Sequence, residues 1–156
     1  MSHDGRTNNR RTLEGTACAA GTLRRAARSL TRVYDAHLAR AGLTTTQFSI
    51  LRTLQRRHGR MPLAEMAADL VFERTSLYRA LAPMRRAGLV SVRRGTDRRV
   101  KEVELTTQAR RSIAEALPHW AAAQRAVLDR FGRGSWPELV TELTRLTTVA
   151  VSLHPE

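Results

Sequence analysis

The side chains with chemistry to do are arginines and short hydroxyls gathered at the head of one helix pattern. Arg74, Thr75, Ser76, Tyr78 and Arg79 fall around a helix expected over about residues 75–87, on the face that Leu77, Leu81 and Met84 leave free. A guanidinium is a planar fork of donors that matches guanine O6 and N7, which suits Arg79, while hydroxyls such as those of Thr75 and Ser76 reach phosphates or base edges through water. A second cationic group, Arg94, Arg98 and Arg99, surrounds Asp97 in an expected turn at residues 95–97. A third candidate is Thr44, Thr45 and Thr46, which open an earlier helix whose free amides and positive dipole end suit a phosphate. The pattern points to a polyanion held by forks, hydroxyls and amides.

Composition agrees. The formal net charge is +13, and of the 27 basic residues only Lys101 is a lysine. Neutralising phosphates releases condensed counterions, so such a balance favours nucleic acid, although the arginine bias also follows from a GC-rich genome. Hydrophobic residues make up 42% but aromatics only 4%, which suggests a core of Leu, Ala and Val. Cys18 is the single cysteine, so an intramolecular disulfide is excluded. No stretch approaches the about 20 apolar residues of a membrane span, and residues 1–14 lack a secretory apolar region, so a cytoplasmic location is expected. Enzyme chemistry finds no support. His3, His37, His58, His119 and His154 are scattered without metal-ligand spacing, and the only Gly-x-Gly, at Gly132 and Gly134, follows a helix rather than a strand. No catalytic residue, metal or cofactor is expected.

The elements that position these groups read in order. Residues 1–14 are expected to be a disordered basic tail. A long helix over 17–41 carries Leu23, Ala27, Leu30, Tyr34 and Leu38 on one stripe and stops at Gly42. Thr44 and Gln47 match a capping box, with Leu43 and Phe48 as a hydrophobic staple. Leu63, Met66, Ala67 and Leu70 mark a short helix, the 75–87 helix follows, and residues 89–105 read as two strands. Thr106 caps a helix over 107–131 that Pro118 is expected to kink or break. Ser135 and Glu138 suggest another capping box, opening a last helix to about residue 152. There Leu139, Leu143, Leu146, Ala150 and Leu153 form the seam of paired helices.

One helix to brace, one to enter a groove and a cationic hairpin beside it are the parts of a winged helix-turn-helix. The expected fold is mainly α with a small β-hairpin wing, plus N- and C-terminal dimerisation helices. Its parts would be residues 15–43, the DNA-binding domain at 44–106 and residues 107–156. The central unit supplies its own core, so the terminal stripes are best buried against a second copy. A homodimer places two recognition helices about one DNA turn apart, and the target should then be a near-palindrome.

With these parts in order, the sequence resembles the MarR (multiple antibiotic resistance regulator) family over about residues 17–152. The matching motifs are Gly42-Leu43-Thr44 with Gln47-Phe48, then residues 63–67, Arg74-Thr75-Ser76-Leu77, Arg86 with Gly88-Leu89-Val90, Asp97-Arg98-Arg99 and Leu105-Thr106. Two departures are Pro83 inside the recognition helix, where it would bend the last turn, and Ala109 where the family often has Gly. The resemblance implies a DNA-binding transcriptional regulator, a repressor relieved by a small aromatic or lipophilic ligand. It also implies that the Asp97 carboxylate braces an arginine while an arginine enters the minor groove. The effector site it implies draws on the first, second and fifth helices, where Arg28, Tyr34, His37 and Trp120 are candidates. The same four residues also suit packing or interface roles. Cys18 suggests a redox-responsive regulator as an alternative, although no basic partner for its thiolate is evident. The charge alone permits another, a nonspecific architectural DNA-binding protein. The expected partners are double-stranded DNA, a second copy and a small effector, with no membrane.

Overall fold

A computed structural model describes residues 17–95 and 97–153. The expected tail at 1–14 lies outside the described residues. The chain divides into two compact units, Met1–Val33 and Tyr34–Glu156. Helix α1, Ala19–Leu38, starts in the first, where Leu23, Leu30 and Val33 remain exposed.

The second unit continues with a 3-10 turn at Ala39–Ala41, then α2 (Thr45–Arg56), β1 (Arg60–Pro62), α3 (Leu63–Asp69) and α4 (Arg74–Arg86). After these come β2 (Val90–Arg94), β3 (Lys101–Leu105), α5 (Thr107–Phe131) and α6 (Trp136–Ser152). The architecture is mainly α with a wing, as the periodicities require.

Local chemistry sets the boundaries. The Thr44 side chain accepts from the Gln47 amide and the Gln47 side chain accepts from the Thr44 amide, a complete capping box. Leu43 and Phe48, the staple, are both buried. Four turns then share one stop signal. The amides of Leu43, Gly59, Phe72 and Leu89 reach back five residues to the carbonyls of Leu38, Leu54, Ala67 and Met84. Each stop needs a left-handed residue just before that amide. Gly42 (φ 66) and Gly88 (φ 68) fill two of these positions, but His58 (φ 58) and Val71 (φ 52) fill the others.

The core gathers Leu38, Phe48, Ile50, Leu51 and Leu54 from α1 and α2, Met66 from α3, and Leu77, Leu81 and Met84 from α4. Val103 and Leu105 close it from β3, and Ile113 from α5. Each such side chain contributes roughly 1.5–3 kcal/mol by leaving water, so the hairpin and the recognition helix are fastened through one apolar cluster.

Three expectations change. The segment Arg60–Pro62, between the two helices expected on either side of it, is a strand that the two-stranded reading did not include. It makes the hairpin a three-stranded antiparallel sheet in the order β1-β3-β2, with Met61 opposite Val103. Pro62 is tolerated because it lies at the sheet edge, opposite Glu102, one step beyond the bonded Met61–Val103 pair. Pro118 does not break α5, which runs unbroken as one helix. Ala114, whose carbonyl loses its helical donor there, is exposed, so water can satisfy it. Ser135 makes no capping hydrogen bond. Its backbone is already helical (φ −80, ψ −13), which turns the hydroxyl away from the capping position, and Pro137 pre-sets the first turn instead.

Candidate nucleic-acid interface

Helix α4 buries Leu77, Leu81 and Met84 and turns the opposite face outward. Arg74, Thr75, Ser76 and Arg79 are exposed on it, and Tyr78 is half-buried at its edge. The first turn itself carries no acidic residue, and Glu73 at the N-cap makes no side-chain capping bond, so the first amides stay open beside the Arg74 guanidinium. Pro83 sits within α4 without ending it. It withdraws a donor from the Arg79 carbonyl, but the core face stays continuous through Met84.

The wing is closed by backbone bonds. The Gly95 amide donates to the Val100 carbonyl (2.8 Å) and the Val100 amide to the Asp97 carbonyl (2.9 Å). The Asp97 carboxylate accepts from the Arg99 main-chain amide at 2.9 Å. The resemblance implied that this carboxylate braces an arginine. In the structure it meets Arg99 only at the main-chain amide, and no ion pair to an arginine side chain joins it among the described residues. Arg94, Arg98 and Arg99 are all exposed.

Helix and wing converge. Arg74 and Tyr78 of α4, Arg99, Val100 and Lys101 of the wing, and Leu63 and Ala64 of α3 line one cleft of about 400 Å³. The Lys101 ammonium lies 5.5 Å from the centre of the Tyr78 ring, a cation–π pair that fixes both side chains at the cleft. Strand alternation explains why Lys101 reaches the cleft. Val103 and Leu105 are buried, so Lys101 continues their inward face beyond the core and over α4.

The threonine cluster is different. The Thr45 amide and hydroxyl both donate to Asp35 Oδ1 at 2.6 Å, and the Thr44 hydroxyl is engaged in the cap. A protein carboxylate therefore already occupies the helix N-terminus where a phosphate was expected. Thr46 alone of the three keeps an exposed side chain outside these bonds.

The candidate effector residues scatter in role. The Tyr34 hydroxyl donates to Gln124 Oε1, and burial pushes its pKa up. The Trp120 ring packs against Phe48, with centroids 6.2 Å apart. His37 is half-buried. Arg28 belongs to the first unit, where its Nε donates to the Arg24 carbonyl at 3.4 Å. Cys18 is a free, exposed thiol whose sulfur accepts from the Gly21 amide at 3.4 Å. No group of His, Cys, Asp and Glu among the described residues is arranged to hold a metal ion. None of the described helices is long and apolar enough to cross a membrane.

A recognition helix with an outward basic face, joined by a cationic hairpin at a shared cleft, defines a winged-helix DNA-binding protein. The model of the winged helix DNA-binding domain matches residues 37–109. Among solved structures, the chain is similar to the M. tuberculosis transcriptional regulator MosR in complex with DNA. Identity there is 39%, over 89% of this chain and 100% of that chain, with a TM-score of 0.81. It is also similar to AbsC, a MarR family transcriptional regulator from Streptomyces coelicolor, at 25% identity, 86% and 93% coverage and a TM-score of 0.75. The repressor CouR bound to a 23-mer DNA duplex shares the fold at 24% identity, 83% and 92% coverage and a TM-score of 0.74. No curated protein sequence matches. The chain belongs to the MarR family of winged-helix transcriptional regulators. These relatives are transcriptional regulators rather than enzymes.

Proposed function

We propose that this regulator acts as a homodimeric repressor on a near-palindromic operator and is released by a small aromatic or lipophilic ligand. The observation that carries the reading is the cleft shared by Arg74 and Tyr78 of α4 with Arg99 and Lys101 of the wing. One sugar–phosphate strand fits along it, with α4 in the major groove and the wing tip beside the minor groove. Arg79, Thr75 and Ser76 read or position base edges, and Arg94, Arg98 and Arg99 hold backbone or enter a narrow A·T-rich minor groove. Residues 44–106 form the reading head in this scheme, and residues 15–43 and 107–156 serve dimerisation.

Exposed apolar side chains support the second copy. No residue of α6 is buried, and Val140, Leu146, Val149, Val151 and Leu153 stand in solvent. Leu23, Leu30 and Val33 do the same on α1. Patches of this kind mark interfaces. For the ligand, the organohalide-sensing regulator RdhR has been solved with 2,4-dichlorophenol bound, at 21% identity and a TM-score of 0.77. Tyr34, His37, Trp120 and Arg28 remain the candidate effector residues here.

The test is selection of bound duplexes from a random pool, followed by titration at several salt concentrations. The expected outcome is a two-fold symmetric consensus bound by two subunits. Equal affinity for unrelated duplexes at matched salt would instead make the protein a nonspecific architectural binder and sink the proposal.

A further inference from the structure

The sheet order leaves β2 as an open edge, paired with β3 on one side only. Which of its backbone groups face outward follows from the ladder. Thr106 donates to the Leu89 carbonyl and Gly95 to the Val100 carbonyl, and the register pairs Ser91 with Glu104 and Arg93 with Glu102. Bonded and non-bonded pairs alternate in an antiparallel ladder, so Ser91 and Arg93 turn their amides and carbonyls toward β3, as do the Leu89 carbonyl and the Gly95 amide. Those of Val92 and Arg94 therefore point away from the sheet, and none has a backbone or side-chain partner among the described residues.

A groove of about 540 Å³ runs beside this edge, between β2 and the C-terminal half of α4. Its floor is apolar, from Ala82, Val90 and Val92, and its walls carry Arg85, Arg86 and Arg93. None of these three guanidinium groups has an ion-pair partner among the described residues. It is a different cleft from the one shared by Arg74, Tyr78 and Lys101, and the two have no lining residue in common.

We propose that this groove docks an extended acidic segment of another protein, added as a fourth strand along β2. Three features select that occupant. The alternating outward amides and carbonyls of Val92 and Arg94 match a peptide backbone, whereas phosphates only accept and leave the carbonyls unsatisfied. The apolar floor receives every second side chain of a strand. The three arginines attract carboxylates and repel the same edge of a second copy, so self-pairing is disfavoured.

The probe is a capped ten-residue peptide of alternating glutamate and threonine, titrated into the full chain. One control replaces the threonines by proline and another the glutamates by lysine. Amide exchange followed by NMR should slow at Val92 and Arg94 on addition of the glutamate peptide and not of either control. Arg85→Gln combined with Arg93→Gln should weaken binding about tenfold. Val92→Pro deletes an outward amide without touching the ladder and should abolish it; should that variant fail to fold, the arginine pair decides alone. Equal binding of the proline peptide overturns the proposal, because the groove is then a general anion sink. So does the absence of peptide binding, or protection of the same amides by duplex DNA with displacement of the peptide, which would make the groove part of the DNA contact.

Discussion

Arg99 divides its duties between backbone and side chain. Its amide is bound by Asp97, whereas its guanidinium is exposed and has no ion-pair partner among the described residues. Arg99→Ala should therefore leave the wing turn closed, weaken operator binding about tenfold and lower the salt slope by about one phosphate contact. An unchanged slope in an anisotropy titration would remove Arg99 from the interface. Tyr34 offers a test by pH. Its folded pKa is raised by burial, so the unfolded chain loses the phenolic proton first as pH climbs. Stability from this group is complete below about pH 10 and is lost as pH rises through the folded value. Chemical denaturation at rising pH should show a decline that Tyr34→Phe lacks. At this scale the sequence was informative about charge and less so about partners. The outward arginines of α4 followed from period alone. That Asp35 takes the Thr45 amide did not, because the two belong to different elements, and neither did the stacking of Lys101 on Tyr78.

Helices in this fold are held at their ends. Thr106 accepts from the Ala109 amide to cap α5 and donates to the Gly88 carbonyl at 2.7 Å, tying the exit of α4 to the start of α5. Thr106→Ala loses both functions and should destabilise the protein by about 1–2 kcal/mol, measured by urea unfolding. A loss below about 0.5 kcal/mol would mean that the tie is not formed in solution. Cap and staple chemistry is local, which is why the starts of α2 and α5 were legible in the residues that form them. Strand β1 was not legible, because its three residues become a strand only through pairing with β3. Ser135 misled for the opposite reason. The Ser-x-x-Glu spacing was present, but the preceding Gly132 turn delivers the serine in a helical conformation.

At the level of the whole chain, the terminal helices carry the least self-sufficient surface. Leu146 is 40% exposed on α6, in a row with Leu139 and Leu143. Leu146→Arg should shift the protein to monomers by sedimentation and reduce operator affinity by about 100-fold, since the second reading head then binds independently. A variant that stays dimeric would move the interface elsewhere. The stripe itself was legible from its steps of four and three; what covers it is not written in the spacing. One detail of the stops between helices bears on how the molecule tolerates heat. Val71 holds a left-handed backbone at φ 52, a conformation that a β-branched residue adopts against about 1–2 kcal/mol of steric opposition, with its side chain 64% exposed. That tension is stored beside the recognition helix and used for no packing. A glycine there should raise the melting temperature by a few degrees and leave every DNA-facing side chain as it is. An unusually inexpensive route to a hardier regulator thus lies in a single hinge residue.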